Sequence, residues 1–175
     1  MTNPTAFQTL KAQIDRVLAW VVIGVMAVLV LDVLWQVFTR FVLRSPSSFT
    51  EELARYLLIW VGLLGASYAT GQQQHLAVDL LPQKLKGQRR AYLELFIQAC
   101  IFLFALLVLV IGGGRLVWVS LYLGQTSAAL QVPLGYVYVV VPISGLLIMI
   151  YALFFMVEAV RGMDEQAEAS DLPSS

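Results

Sequence analysis

Four long apolar segments dominate the pattern of hydrophobic and polar positions along the chain. They cover roughly residues 17–42, 53–70, 91–123 and 133–160. A membrane-spanning helix needs about 20 mostly apolar residues, so each segment is long enough to cross a bilayer. The pattern predicts an all-α integral membrane protein with four transmembrane helices, in which residues 17–160 form the membrane domain.

The third segment is too long for an upright span. At 1.5 Å per residue, residues 91–123 would reach about 50 Å, against a hydrocarbon core of about 30 Å. The segment must tilt, extend beyond the membrane or break, and we predict a long tilted third helix. Its triple glycine, Gly112-Gly113-Gly114, is the natural place for a kink.

The segments that flank the spans suggest short amphipathic surface helices. Residues 1–16 place apolar side chains on one helical face and predict a cytoplasmic lead-in to the first span. Residues 75–90 combine leucines with a basic end and predict a second surface helix. Both would pack against membrane lipids. The polar residues 161–175 predict a disordered cytoplasmic tail.

The distribution of Lys and Arg predicts the orientation. Cytoplasmic loops carry the excess of these residues, and the connection at 124–132 has none. We therefore expect both termini inside, and residues 43–52 and 124–132 outside, which in a bacterium means the periplasm. Arg40 and Arg44 are basic residues near the first outside connection. The basic residues expected inside are Lys11, Arg16, Lys84, Lys86, Arg89, Arg90 and Arg161.

The amino-acid composition excludes several classes of function and binding site. The chain is 59% hydrophobic and 13% charged, with zero net charge, which gives no electrostatic case for binding nucleic acid. A single cysteine, Cys100, permits no intrachain disulfide and no thiolate metal cluster. A single histidine, His75, excludes a haem held between two histidines of this chain. We expect no metal and no cofactor in this chain.

Three ionisable residues stand at the entrance of the second span. Glu51 and Glu52 lie four and three residues before Arg55, so either pair can meet on a helix surface. Small residues follow at spacings that let helices approach closely in lipid. Capping and pairing at a helix start would explain the charges alone. The sharper hypothesis is a helix-packing or partner-subunit interface formed by Glu51, Glu52, Arg55, Gly62, Gly65 and Ala66.

Two further groups of residues are candidate functional sites. Asp32 and Arg115 lie at similar depths in the first and third spans and could form an intramembrane pair, with Arg55 as a rival partner for Asp32. An inert pair, a titrating or ion-binding carboxylate, and contact with a partner subunit all stay open. The connection before the fourth span is either a simple reverse connection between two helices or a docking edge for an extracytoplasmic protein. The docking edge would be formed by Gln125, Thr126, Ser127 and Gln131.

Two stretches resemble a known family. Residues 40–82, RFVLRSPSSFTEELARYLLIWVGLLGASYATGQQQHLAVDLLP, and residues 124–138, GQTSAALQVPLGYVY, are similar to the small membrane subunit, of the DctQ type, of tripartite ATP-independent periplasmic (TRAP) transporters. The matching residues are Arg40, Phe49, Glu51, Glu52, Arg55, Trp60, Gly65, Ala66, His75, Val78, Asp79, Leu130, Pro133 and Tyr136.

The resemblance implies a scaffold subunit in the bacterial inner membrane that is not an enzyme and has no catalytic residues of its own. A large elevator-type membrane subunit would hold the substrate and Na⁺ sites, and a periplasmic binding protein would deliver an organic acid of the carboxylate or sialic acid class. Two rivals stay open. A stand-alone proton-coupled multidrug exporter would use Asp32 as its coupling carboxylate. A membrane anchor of a redox complex would normally supply haem-ligating histidines, and His75 lies outside the spans.

Overall fold

The computed structural model describes the backbone of residues 6–42, 48–72 and 88–170, and the side chains of residues 9–42, 48–72 and 92–160. His75, Val78, Asp79, Arg44 and most of the second predicted surface helix lie outside these ranges. The helices are α1 (Ala6–Phe41), α2 (Ser48–Gln72), α3 (Gln88–Phe104), a π-helical segment (Ala105–Gly112), α4 (Gly113–Tyr122), α5 (Leu134–Tyr138) and α6 (Val140–Ser170).

The predicted four-span architecture is confirmed. Within the described ranges, four helical stretches are long and apolar enough to cross a membrane: Thr9–Phe41, Ser48–Gln72, Tyr92–Tyr122 and Leu134–Val160. The third combines α3, the π-helical segment and α4, and the fourth combines α5 with most of α6. Long apolar runs favour helices in lipid because a helix satisfies its backbone hydrogen bonds within the segment.

The helix pair α2 and α6 forms the centre of the molecule. The first span packs on α2, and the third span packs on α6. Leu18, Leu64, Val140 and Tyr151 form the buried core where α1, α2 and α6 meet. Most other large apolar side chains of α1 and of the third span are exposed on the surface of this chain. The fold therefore presents broad apolar surfaces to lipid or to other proteins.

The lead-in to the first span belongs to α1 and contacts the body of the protein. The hydroxyl of Tyr151 donates a hydrogen bond to Asp15 Oδ1 at 2.5 Å. The ammonium of Lys11 lies 4.8 Å from the centre of the Phe155 ring, a favourable cation–π arrangement. These contacts dock the start of α1 onto α6, whereas the sequence suggested packing on the membrane surface.

Glycines allow the third and fourth spans to approach closely. A Cβ on Gly145 would lie 2.6 Å from Leu109 Cβ, and one on Gly113 would lie 2.7 Å from Val141 Cγ1. The predicted break near the triple glycine takes the form of the π-helical segment, which ends at Gly112. Its wider turn departs from regular α geometry where these two spans are in contact.

The last helix extends beyond the predicted fourth span. α6 continues to Ser170, although the sequence suggested disorder from residue 161. The segment MDEQAEAS is rich in Ala, Glu, Gln and Met, which favour helices, and it contains neither Gly nor Pro. Residues 171–175 lie outside the described part of the chain.

Candidate functional site

A carboxylate joins the second span to the connection between the third and fourth spans. Glu52 Oε2 accepts hydrogen bonds from the backbone N–H groups of Ala129 at 2.7 Å and Leu130 at 3.1 Å. Glu52 Oε1 accepts from the N–H of Ala128 at 3.3 Å and from the Tyr56 hydroxyl at 2.7 Å. Hydrogen bonds to a charged acceptor are stronger than neutral ones. We call this arrangement the Glu52 bridge.

The connection is folded so that three successive N–H groups face Glu52. Ser127 is buried and organises the turn: its N–H donates to the carbonyl of Val132 at 2.9 Å, and its hydroxyl accepts from the N–H of Leu130 at 3.2 Å. Thr126 and Pro133 form an antiparallel bridge. Gln131 has a φ of 55°, which turns the chain back toward α5. Backbone N–H groups arranged in this way form an anion-binding concavity.

The same side of α2 makes three further contacts with the fourth span, the first with α5 and the other two with α6. Trp60 Nε1 donates to the carbonyl of Val137 at 3.1 Å. The hydroxyl of Ser67 is 3.3 Å from the carbonyl oxygen of Ser144, and both serines are fully buried. A Cβ on the next contact residue, Gly71, would lie 2.6 Å from the Tyr151 ring. Glu52, Tyr56, Trp60, Ser67 and Gly71 follow helical spacings of four and seven, so they share one face of α2.

Another face of α2 stays uncovered by the described parts of this chain. Glu51 and Arg55 form the predicted pair, with Arg55 Nη2 3.3 Å from Glu51 Oε1 and both side chains 64% exposed. Gly62 and Ala66 are exposed, and a Cβ on Gly62 or Gly65 would meet nothing within 4 Å. We call Glu51, Arg55, Leu58, Gly62, Gly65 and Ala66 the open face of α2.

The predicted grouping of Glu51, Glu52, Arg55 and the small residues is therefore split in two. Glu52 does not pair with Arg55, because it points toward the connection and is occupied by backbone N–H groups. Gly62, Gly65 and Ala66 do not form a helix-packing interface within the described chain. The partner-subunit half of that hypothesis stays a prediction.

The structure does not form the predicted pair of Asp32 and Arg115. The main contacts of α1 are with α2 and those of the third span are with α6, so the two helices that carry these residues are not packed closely on each other. In the described part of the chain, Asp32 Oδ2 is buried without a hydrogen-bond partner, and Arg115 is exposed. The rival partner Arg55 contacts Glu51 instead.

The predicted docking edge is altered at one residue. Gln125, Thr126 and Gln131 are exposed, as a docking surface requires, but Ser127 is only 2% exposed. Ser127 is buried because its polar groups hold the turn together. It is therefore unavailable to a docking protein, whereas the other three residues stay candidates.

Sequence reasoning missed what Glu52 binds. Its partners are backbone N–H groups 76 to 78 residues away, and no side-chain pattern identifies such donors. The spacing of Glu52, Tyr56 and Trp60 was the available signal, since it marks one helical face with polar groups. Among the described residues, no three His, Cys, Asp or Glu side chains are grouped so that they could hold a metal ion.

Comparisons with known proteins agree on one family. The profile described as "Tripartite ATP-independent periplasmic transporters, DctQ component" matches residues 29–162. A protein of Haemophilus influenzae assigned as a TRAP transporter small permease is 31% identical over 77% of this chain and 82% of its own length.

Two longer proteins match part of the chain. The sialic acid TRAP transporter permease protein SiaT of Haemophilus influenzae is 38% identical over 39% of this chain, and the match covers 12% of its length. The isethionate TRAP transporter permease protein DctMQ of Oleidesulfovibrio alaskensis is 29% identical over 57% of this chain and 16% of its length. The chain thus corresponds to a small part of each longer relative. It is a multi-pass protein of the bacterial inner membrane and belongs to the DctQ family, the small permease subunits of TRAP transporters.

Proposed function

We propose that this chain is a static scaffold subunit of a sodium-coupled secondary transporter that imports an organic acid. A large elevator-type membrane subunit would bind the substrate and Na⁺, and a periplasmic protein would deliver the substrate. Relatives named for sialic acid and isethionate support an acidic organic substrate. The matches within the longer permease proteins SiaT and DctMQ support assembly with a large membrane subunit.

The Glu52 bridge is the observation that carries the static role. It fixes the connection to the first turns of α2. At deeper levels, Trp60 fixes the same helix to α5, and Ser67 and Gly71 fix it to α6. Elevator transport requires one part of a protein to slide against another. Contacts at four levels along α2 resist such sliding between α2 and the fourth span. The polar side chains of this interface are engaged in holding helices together.

The open face of α2 is our candidate contact for the large subunit. Small side chains let a second helix approach closely, and in lipid such packing drives helix association. The exposed pair of Glu51 and Arg55 lies at one end of this face. With both termini in the cytoplasm, Gln125, Thr126 and Gln131 face the periplasm, where the binding protein would dock.

Reconstitution into liposomes tests this function. The large subunit, this chain and the binding protein, with a radiolabelled organic acid such as sialic acid, should give uptake that depends on an inward Na⁺ gradient. Omitting this chain should abolish uptake. Equal uptake without this chain would overturn the proposal.

A second assay tests the alternative exporter. The chain alone in liposomes should not move a cationic dye along a proton gradient. Dye export that is lost in Asp32→Asn would establish the exporter instead and overturn the scaffold role.

A further inference from the structure

Arg115 interrupts an otherwise apolar exposed stripe on the third span. Ile111, Trp118 and Tyr122 are 57%, 64% and 77% exposed, and their spacing from Arg115 places all four on one helical face. Gly112, beside this stripe, is also exposed. The stripe therefore combines large apolar side chains, one cation and a site where another backbone can approach closely.

Contacts along α6 place Arg115 well inside the membrane domain. Gly113 packs against Val141, and Ser144, three residues farther along α6, contacts Ser67 of α2. At 1.5 Å per residue, Arg115 lies about 7 Å beyond the level of Ser67, toward the start of α2. It is then about 20 Å from the first residue of α2 and about 15 Å from the last. Arg115 is thus near mid-depth.

The Arg115 side chain points away from the nearer membrane surface, so its guanidinium does not reach water there. Cβ bonds in a helix tilt toward the N-terminus, so Arg115 leans away from Tyr122 and the nearer end of its own helix. Within the described ranges, Arg115 forms no hydrogen bond or ion pair, whereas Arg55 pairs with Glu51. A charge within a membrane span is costly and normally faces protein or a polar cavity.

We infer that the stripe of Ile111, Arg115, Trp118 and Tyr122, with Gly112 beside it, docks a transmembrane helix of the large membrane subunit that carries a carboxylate at the depth of Arg115. The inference rests on the proposed function and adds a contact surface distinct from the open face of α2. Gly112 lets the partner helix approach closely, and a carboxylate compensates the guanidinium charge. A lipid phosphate suits this position less well, because the side chain leans toward the membrane interior.

Site-specific photocrosslinking in the intact complex tests the contact. A photoreactive amino acid in place of Ile111 should crosslink to the large subunit. The same group in place of Leu153, an exposed residue of α6, serves as the control for nonspecific capture. Crosslinking of position 111 to phospholipid alone, or equal crosslinking from position 153, would overturn the inference.

Substitution of the cation tests the charge. Arg115→Met should weaken association with the large subunit about tenfold or more, whereas Arg115→Lys should retain most of it. The isolated chain should unfold at the same temperature with Arg115→Met, since the side chain makes no described contact in it. Unchanged association of Arg115→Met would contradict the inference. The proposed function fails separately if the unsubstituted chain does not bind the large subunit.

Discussion

Glu51 and Glu52 are adjacent and chemically identical, yet they have different surroundings. Successive residues point about 100° apart around a helix. Glu52 therefore faces the connection, while Glu51 faces outward and its described contact is with the next turn of α2. Exposed pairs such as Glu51 and Arg55 contribute a few tenths of a kcal/mol. The contribution of Glu52 depends on three backbone N–H groups, of which those of Ala128 and Ala129 have no other described acceptor and that of Leu130 also donates to the Ser127 hydroxyl.

Replacing Glu52 with Gln should loosen the connection. The amide keeps one acceptor oxygen and turns an NH₂ donor toward the N–H groups of Ala129 and Leu130. We expect faster amide hydrogen exchange in the peptide that covers residues 124–133, together with a lower unfolding temperature. Hydrogen exchange measured by mass spectrometry checks both the size and the location of the effect.

Glu51→Gln is the matched control for this experiment. It removes the same charge one residue away, where the only described contact is with exposed Arg55. Exchange in the connection should not change, and stability should fall by no more than about 0.5 kcal/mol. Equal protection of residues 124–133 in both variants would show that the Glu52 bridge does not hold the connection.

At the scale of elements, the third and fourth spans pack closely because each places a glycine opposite a bulky residue of the other. Gly113 on one span faces Val141 on the other, and Gly145 faces Leu109 in return. The π-helical segment contains Leu109 and ends at Gly112, one residue before Gly113. Each glycine accommodates a bulky residue opposite it, so the two helices approach more closely than larger side chains would permit.

Gly145→Ala should therefore separate these two spans. The added Cβ would lie 2.6 Å from Leu109 Cβ and 3.2 Å from the Leu109 carbonyl carbon, which belongs to the backbone and cannot rotate away. Overpacking of this kind costs about 1–3 kcal/mol. The free energy of unfolding of the chain in detergent measures the effect.

Gly24→Ala on α1 provides the control for helix propensity. A Cβ there meets nothing within 4 Å, and alanine favours a helix by up to about 1 kcal/mol over glycine. Gly24→Ala should be neutral or stabilising. If Gly145→Ala were equally harmless, the close approach of the third and fourth spans would be disproved.

At the scale of the whole molecule, the central pair of α2 and α6 is covered on two sides, by α1 and by the third span. Among the described residues, the exposed surfaces include the open face of α2, the stripe around Arg115, much of α1 and parts of α3 and α6. Apolar exposure of this extent suits lipid and partner helices. The distribution of Lys and Arg predicts which end of the membrane domain faces the periplasm.

Thiol labelling tests that orientation. In a Cys100→Ser background, Gln125→Cys should react with a membrane-impermeant maleimide added to spheroplasts, because the predicted orientation places the connection in the periplasm. Thr9→Cys should react only after the membrane is permeabilised. Both positions are exposed in the folded chain. The opposite labelling pattern would reverse the predicted orientation.

The sequence was sufficient for the four spans, because length and apolarity alone identify membrane helices. It was insufficient for the contacts between them. α2 carries polar or small residues on more than one face, so spacing could not show that Gly71 packs inside the chain while Gly62 stays open. The partners of Glu52 are backbone groups on a distant connection, and the positions of Asp32 and Arg115 depend on helix order rather than depth.

Co-purification tests the scaffold role most directly. The chain, tagged and co-expressed with the large membrane subunit encoded beside it, is extracted in a mild detergent and its mass is measured. A scaffold subunit should elute with the large subunit as one complex at a fixed ratio. Elution of the chain alone, with the large subunit intact in a separate fraction, would contradict the account.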